Sequence, residues 1–167
     1  MIAWLMLTLA LGIEPVPPGG RISPPQEAFD FFRALEGEWE GSSTKGWTDK
    51  TSFRTIAGGS VVVSTSFDAH PGETMMTMFH LDSGRLLLTH YCVAKNQPRL
   101  AATTIEPKER RIVFTWLDGT GLASRDTGHM DQAVFEFQDP DHFTSKWTWY
   151  QNGTERWMEE IRYARVR

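Results

Sequence analysis

The period of the apolar positions changes once along the chain. Between Gln26 and Leu35, Phe29, Phe32 and Leu35, with Ala28 beside them, recur at helical spacing, and Gly37 ends the pattern. From Glu38 onward the apolar residues alternate with polar ones, and strand-like runs recur about every ten residues. Strands are expected near 37–45, 49–56, 60–68, 74–81, 85–93, 99–105, 110–117, 130–138, 143–150 and 155–166. Between them lie turn formers: Gly58-Gly59, Pro71-Gly72, Asp82-Ser83-Gly84, Asn96-Gln97-Pro98, Asp139-Pro140-Asp141 and Asn152-Gly153. Short turns pair neighbours antiparallel, and nothing after residue 36 leaves room for the crossover helices that parallel strands need. A flat meander of this length would expose two edges, which closure into a barrel removes. The expected fold is all-β: an antiparallel up-and-down β-barrel of about ten strands, with a short N-terminal helix closing one end. The one long connection, Asp118 to His129, contains Gly119, Gly121 and Gly128 and reads as a loop at the barrel mouth.

Upstream of the helix the character differs. Residues 1–13 form an apolar run too short to span a bilayer but suited to the h-region of a signal peptide, although no Lys or Arg precedes it. Residues 14–25 carry five prolines and two glycines, the composition of a linker. Residues 1–25 are thus read as a leader and linker, and 26–167 as the barrel domain. The expectation is export to the periplasm or the extracellular space, with no stable membrane span in the mature protein and no lipid anchor, since no cysteine follows the apolar run. A formal charge of −4 with both signs interspersed does not supply the basic surface that nucleic acid requires. The single cysteine, Cys92, excludes an intramolecular disulfide framework and a multi-cysteine zinc site.

The stretch Leu35-Glu36-Gly37-Glu38-Trp39-Glu40-Gly41 resembles the Gly-x-Trp opening strand of the calycins, the group of lipocalins, fatty-acid-binding proteins and nitrobindins. On a strand, Gly37, Trp39 and Gly41 share one face and the three glutamates the other, so the indole points inward. The resemblance implies that Trp39 plugs the closed end of a barrel, with a basic residue of the last strand, Arg162 or Arg165, over its ring. Fatty-acid-binding proteins carry an Arg-x-Tyr near the chain end; here the order is reversed, Tyr163-Ala164-Arg165, which weakens a fatty-acid assignment. Nitrobindins place a haem-ligating histidine on a C-terminal strand, whereas the last histidine here is His142, so no haem is expected. Leu88 to Cys92, followed by Asn96-Gln97-Pro98-Arg99, is similar to a pattern of uncharacterised bacterial members of the group and implies membership without activity.

Strand parity tests the chemistry that these residues offer. A two-residue Ser83-Gly84 turn pairs His90 with Thr77 and puts His80 on the opposite face; a three-residue turn puts His80 on the same face but about 13 Å away. Neither register lets one ion bind both, and no metal or other cofactor is expected. Cys92 beside His90 lacks the orienting group and oxyanion donors of a nucleophilic site, there is no Gly-x-Ser-x-Gly, and Glu159 and Glu160 face opposite ways. The apolar faces are more informative: Phe143, Trp147 and Trp149 on one strand, Trp157, Ile161, Tyr163 and Arg165 on the next, Met76 with Met78, and Phe114 with Trp116. Turned inward, they describe an apolar cavity with a few polar groups. The leading expectation is non-enzymatic binding of a small, largely apolar or amphipathic molecule, with His90, Arg99, Trp147, Tyr163 and Arg165 as ligand-binding residues. Two alternatives use the same barrel: an isomerase- or cyclase-like enzyme with His90 as general base, and a structural domain with a filled core.

Overall fold

The computed structural model describes residues 23–70 and 72–167; the expected leader, most of the linker and Pro71 lie outside the described residues. One helix, α1 (Pro24–Ala34), precedes ten strands: β1 (Gly37–Ser43), β2 (Thr48–Ile56), β3 (Val61–Ser66), β4 (Met75–Asp82), β5 (Arg85–Tyr91), β6 (Gln97–Glu106), β7 (Arg111–Thr120), β8 (His129–Asp139), β9 (His142–Gln151) and β10 (Thr154–Arg165). Each strand pairs antiparallel with its sequence neighbours, and β1 pairs with β10, Trp39 opposite Arg165, so the sheet closes into a barrel. All ten expected strands and the helix are present. The turn before β6 falls at residues 92–96 because β6 starts at Gln97, and β7 runs on to Thr120, shortening the mouth loop to 121–128.

The two ends of the barrel differ. At one end α1, opened by Pro24 and Pro25, where missing N–H groups cost nothing, drives its apolar face into the lumen. Phe32 is fully buried, stacked on Phe79 with centroids 4.0 Å apart and edge-on to Phe135 and Phe137. Trp39 donates its indole N–H to the Leu35 carbonyl at 2.7 Å, and the Arg165 guanidinium lies 4.3 Å from the indole ring centre. Arg165 also donates to the carbonyls of Glu36 (2.8 Å) and Ala34 (2.9 Å), where the helix ends and leaves acceptors open, and to that of Pro140 (3.0 Å) in the β8–β9 turn. Of the two candidate arginines, Arg165 covers Trp39, while Arg162 is exposed and pairs with Glu160. Gly41 is required beside them: a Cβ there would lie 2.7 Å from Cε1 of Tyr163 and 2.9 Å from Cγ2 of Ile161.

One residue of an expected inward face on β10, and the whole of the expected face on β4, are turned the other way. The pairing of β10 with β9 slips between Trp157 and Glu159, a β-bulge at Met158 that reverses parity, so Trp157 is 52% exposed while Glu159 points inward. On β4 the buried residues are Met75, Thr77 and Phe79, which leaves Met76 and Met78 on the outer surface. The buried face of a two-faced strand is chosen by its neighbours' register, and β4 carries apolar residues on both faces.

Candidate ligand-binding cavity

Above the aromatic plug the inward residues become smaller and more polar, and a chamber opens. Its walls alternate rings (Phe53, Phe79, Phe135, Phe143, Trp147) with hydroxyls (Thr51, Ser64, Ser66, Thr77, Ser145, Tyr163). The chamber is narrow: about 50 Å³ of it admits the centre of a water molecule. It continues through a neck formed by Phe67, Met75, Met130 and Glu159, residues shared with a wider vestibule of about 530 Å³ at the mouth. The vestibule is lined by Trp47 from the β1–β2 turn, Phe67, His70 and Glu73 from the β3–β4 loop, Cys92 to Ala94 from the β5–β6 turn, and Trp149 and Met158. The barrel is thus filled at one end and hollow at the other.

His90 stands on the chamber wall. The Ser83-Gly84 turn sets the two-residue register, Asp82 opposite Arg85, and pairs His90 with Thr77, with His80 on the opposite face. Its Nδ1 is hydrogen-bonded to the Thr77 hydroxyl at 2.9 Å, its ring lies 4.9 Å from that of Trp147, and its Nε2 is buried without any partner. Burial pushes its pKa down to about 4, so the ring is neutral at neutral pH. A neutral imidazole whose Nδ1 is engaged presents one free hydrogen-bonding position, here facing the chamber.

A second polar group lies on the inward faces of β2 and β10. Asp49, 1% exposed, accepts from the Thr51 hydroxyl at 2.7 Å and from the Tyr163 hydroxyl at 3.5 Å, and its Oδ1 has no partner. Burial raises the Asp49 carboxyl pKa, and burial, with the Asp49 charge beside it, raises that of the Tyr163 phenol. Tyr163 stacks on Phe143 at 4.4 Å, which fixes its ring against the chamber. At the neck, Phe67 takes a left-handed backbone conformation (φ 63°), unusual for a bulky residue, and packs on Trp47 at 5.2 Å.

Outside the mouth, Arg125 is held between the rings of Trp116 and Tyr150, 4.6 and 3.7 Å from their centres, and pairs with Asp131. It also meets Nε2 of the fully buried His129, whose Nδ1 donates to the Thr127 carbonyl at 2.5 Å. This cluster pins the 121–128 loop to the wall, aided by the buried Asn96, which donates to the Gly128 carbonyl at 2.9 Å.

Of the five residues expected to bind ligand, His90, Trp147 and Tyr163 converge on the chamber. Arg165 shares a face with Tyr163 but lies one step deeper, at the closed end, with its donors spent on backbone carbonyls. Arg99 is on the outer surface, forked onto Asp118. Sequence reasoning did not find Glu159, although it shares the inward parity of Ile161 and Tyr163 on β10, nor Asp49, although Asp49, Thr51 and Phe53 alternate along β2 as one inward face. Among the described residues, no group of three or more His, Cys, Asp or Glu side chains is arranged to hold a metal ion, and no helix is long and apolar enough to cross a membrane.

No known family and no curated protein matches the sequence. Among solved structures, the chain is similar to a protein of unknown function from the DUF3598 family of Nostoc punctiforme, with a TM-score of 0.51 and 12% identity over 81% of this chain. The chain spans about half, 49%, of that protein's length. At this identity the likeness is one of fold: the chain is a closed ten-stranded antiparallel β-barrel, an architecture compatible with the calycins.

Proposed function

We propose that the protein binds a small amphipathic molecule across the chamber and vestibule, without turning it over. The observation that carries this reading is His90 Nε2: a buried polar atom with no protein partner, on a residue that lines a chamber continuous with the vestibule at the mouth. Leaving such an atom unpaired costs about 1–3 kcal/mol, a cost that a ligand hydroxyl or carbonyl removes. The alternating rings and hydroxyls suit a body that is apolar on its faces and polar at its edge, which shifts the expected ligand from largely apolar to amphipathic. A base whose conjugate acid has a pKa near 4 takes up a proton weakly at neutral pH, and the partner of His90 is a threonine rather than an orienting carboxylate. A hydrogen-bonding role therefore fits His90 better than general-base catalysis.

Native mass spectrometry of the protein purified from its own host tests the proposal. The expected result is a co-purified small molecule, bound about fivefold to tenfold more weakly by His90→Phe, the worth of one hydrogen bond. A mass equal to that of the protein alone, with amides of the upper strands as slow to exchange as those around α1, would instead favour a filled barrel.

A further inference from the structure

The two chambers share a charge pattern that narrows the ligand class. Among the described residues, no lysine or arginine lines either chamber. The charged groups that do are both acids: Glu159 at the neck, 8% exposed, and Glu73 at the rim. Around them stand Trp47, Phe67 and Trp149, whose π-faces attract cations. Lys45 reaches Glu159 at 3.3 Å from outside, but its side chain is half exposed, so its ammonium can turn out to water when another cation takes its place on the carboxylate. Arg165, the cation that could have gripped a carboxylate, is committed to the closed end. A carboxylate or phosphate entering here would lose water beside Glu159 without meeting a counter-charge, whereas an ammonium would replace Lys45 and gain aromatic faces.

Building on the binding proposal above, we infer that the ligand is a small organic amine. Its protonated nitrogen sits at the neck on Glu159, and a hydroxyl or carbonyl at its other end meets Nε2 of His90. The acids alone would not carry this. The unpartnered, buried His90 Nε2 independently demands a polar ligand atom in the same chamber, and Glu159 and His90 both line it.

Three isosteric phenols that differ only in the head group test the charge: tyramine (ammonium), tyrosol (hydroxyl) and 4-hydroxyphenylacetate (carboxylate), titrated calorimetrically against the whole chain at neutral pH. Tyramine should bind most tightly, tyrosol about tenfold more weakly and the carboxylate weakest of all. Glu159→Gln should lower tyramine affinity about tenfold and change tyrosol affinity far less, with an unaltered thermal melt of the unliganded variant showing that it is folded. The amine assignment is overturned if the carboxylate matches tyramine or if Glu159→Gln leaves the preference intact, while the binding proposal survives either result. If none of the three binds, the co-purified molecule decides: an amine upholds the inference, a neutral or anionic molecule overturns it, and the absence of any molecule removes both readings.

Discussion

Burial of His90 makes stability depend on pH with a definite sign. Its pKa is about 4 when folded, against 6.5 ordinarily, so between those values the unfolded chain binds the extra proton. The associated stability is complete above pH 6.5 and is lost as pH falls toward 4, amounting to about 3 kcal/mol. Asp49 acts in the opposite sense, because its raised carboxyl pKa makes the folded state take up a proton more readily. Urea unfolding at pH 7 and pH 4.5 should therefore show a steeper loss for the native chain than for His90→Phe, in which Asp49 and the surface carboxylates are common to both and cancel. Equal losses would mean that water reaches the imidazole. At this scale the sequence was partly legible. The position of His90 followed from the Ser83-Gly84 turn, since turn length fixes register and register fixes facing. The role of Arg99 did not follow, and that of Arg165 followed only as one of two candidates to cover Trp39 and not as the donor to backbone carbonyls, because an arginine's partners lie on other elements.

At the scale of elements, α1 depends on a residue 130 positions away in sequence. Arg165 donates to the carbonyls at the helix end and covers Trp39, so its replacement should loosen the helix rather than the sheet. Arg165→Met is expected to cost about 3 kcal/mol in urea unfolding, in line with charged hydrogen bonds of 1.5–3 kcal/mol each, and to speed amide exchange selectively in α1. Arg165→Lys should recover only a fraction, since an ammonium cannot reach three carbonyls and stack on an indole at once. The existence of α1 and of every strand was legible from periodicity, because each buries one face and the alternation records it. The bulge at Met158 was not: one extra residue turns Trp157 out of the face it would otherwise share with Glu159, Ile161 and Tyr163, and nothing in the sequence of β10 marks it.

At the scale of the whole molecule, the aromatic plug and the hollow mouth divide the stability. Phe32 anchors the closed half against four rings, and Phe32→Ala should destabilise the fold by about 3–5 kcal/mol, as large-to-small changes in packed aromatic cores do, while binding at the mouth is retained in the fraction that folds. A thermal melt with and without bound ligand checks both parts. Closure of the barrel was legible from the meander and the cost of open edges. The division into plug and chamber was not, because it depends on how far α1 enters the lumen, a depth set by the fit of Phe29 and Phe32 between side chains from many strands.

The pairing of β1 with β10 also constrains the order of events during synthesis. Strands β1 to β9 can zip together hairpin by hairpin as they leave the ribosome, but Trp39 cannot meet Arg165 until β10 has followed them. Until then both flanks of a nine-stranded sheet are unpaired, and the plug lacks the guanidinium that fixes its helix. A nascent chain from which β10 has not yet emerged would have two free edges and an uncapped helix, a ready substrate for chaperones, and the 12 residues of β10 turn it into a sheet with no edge.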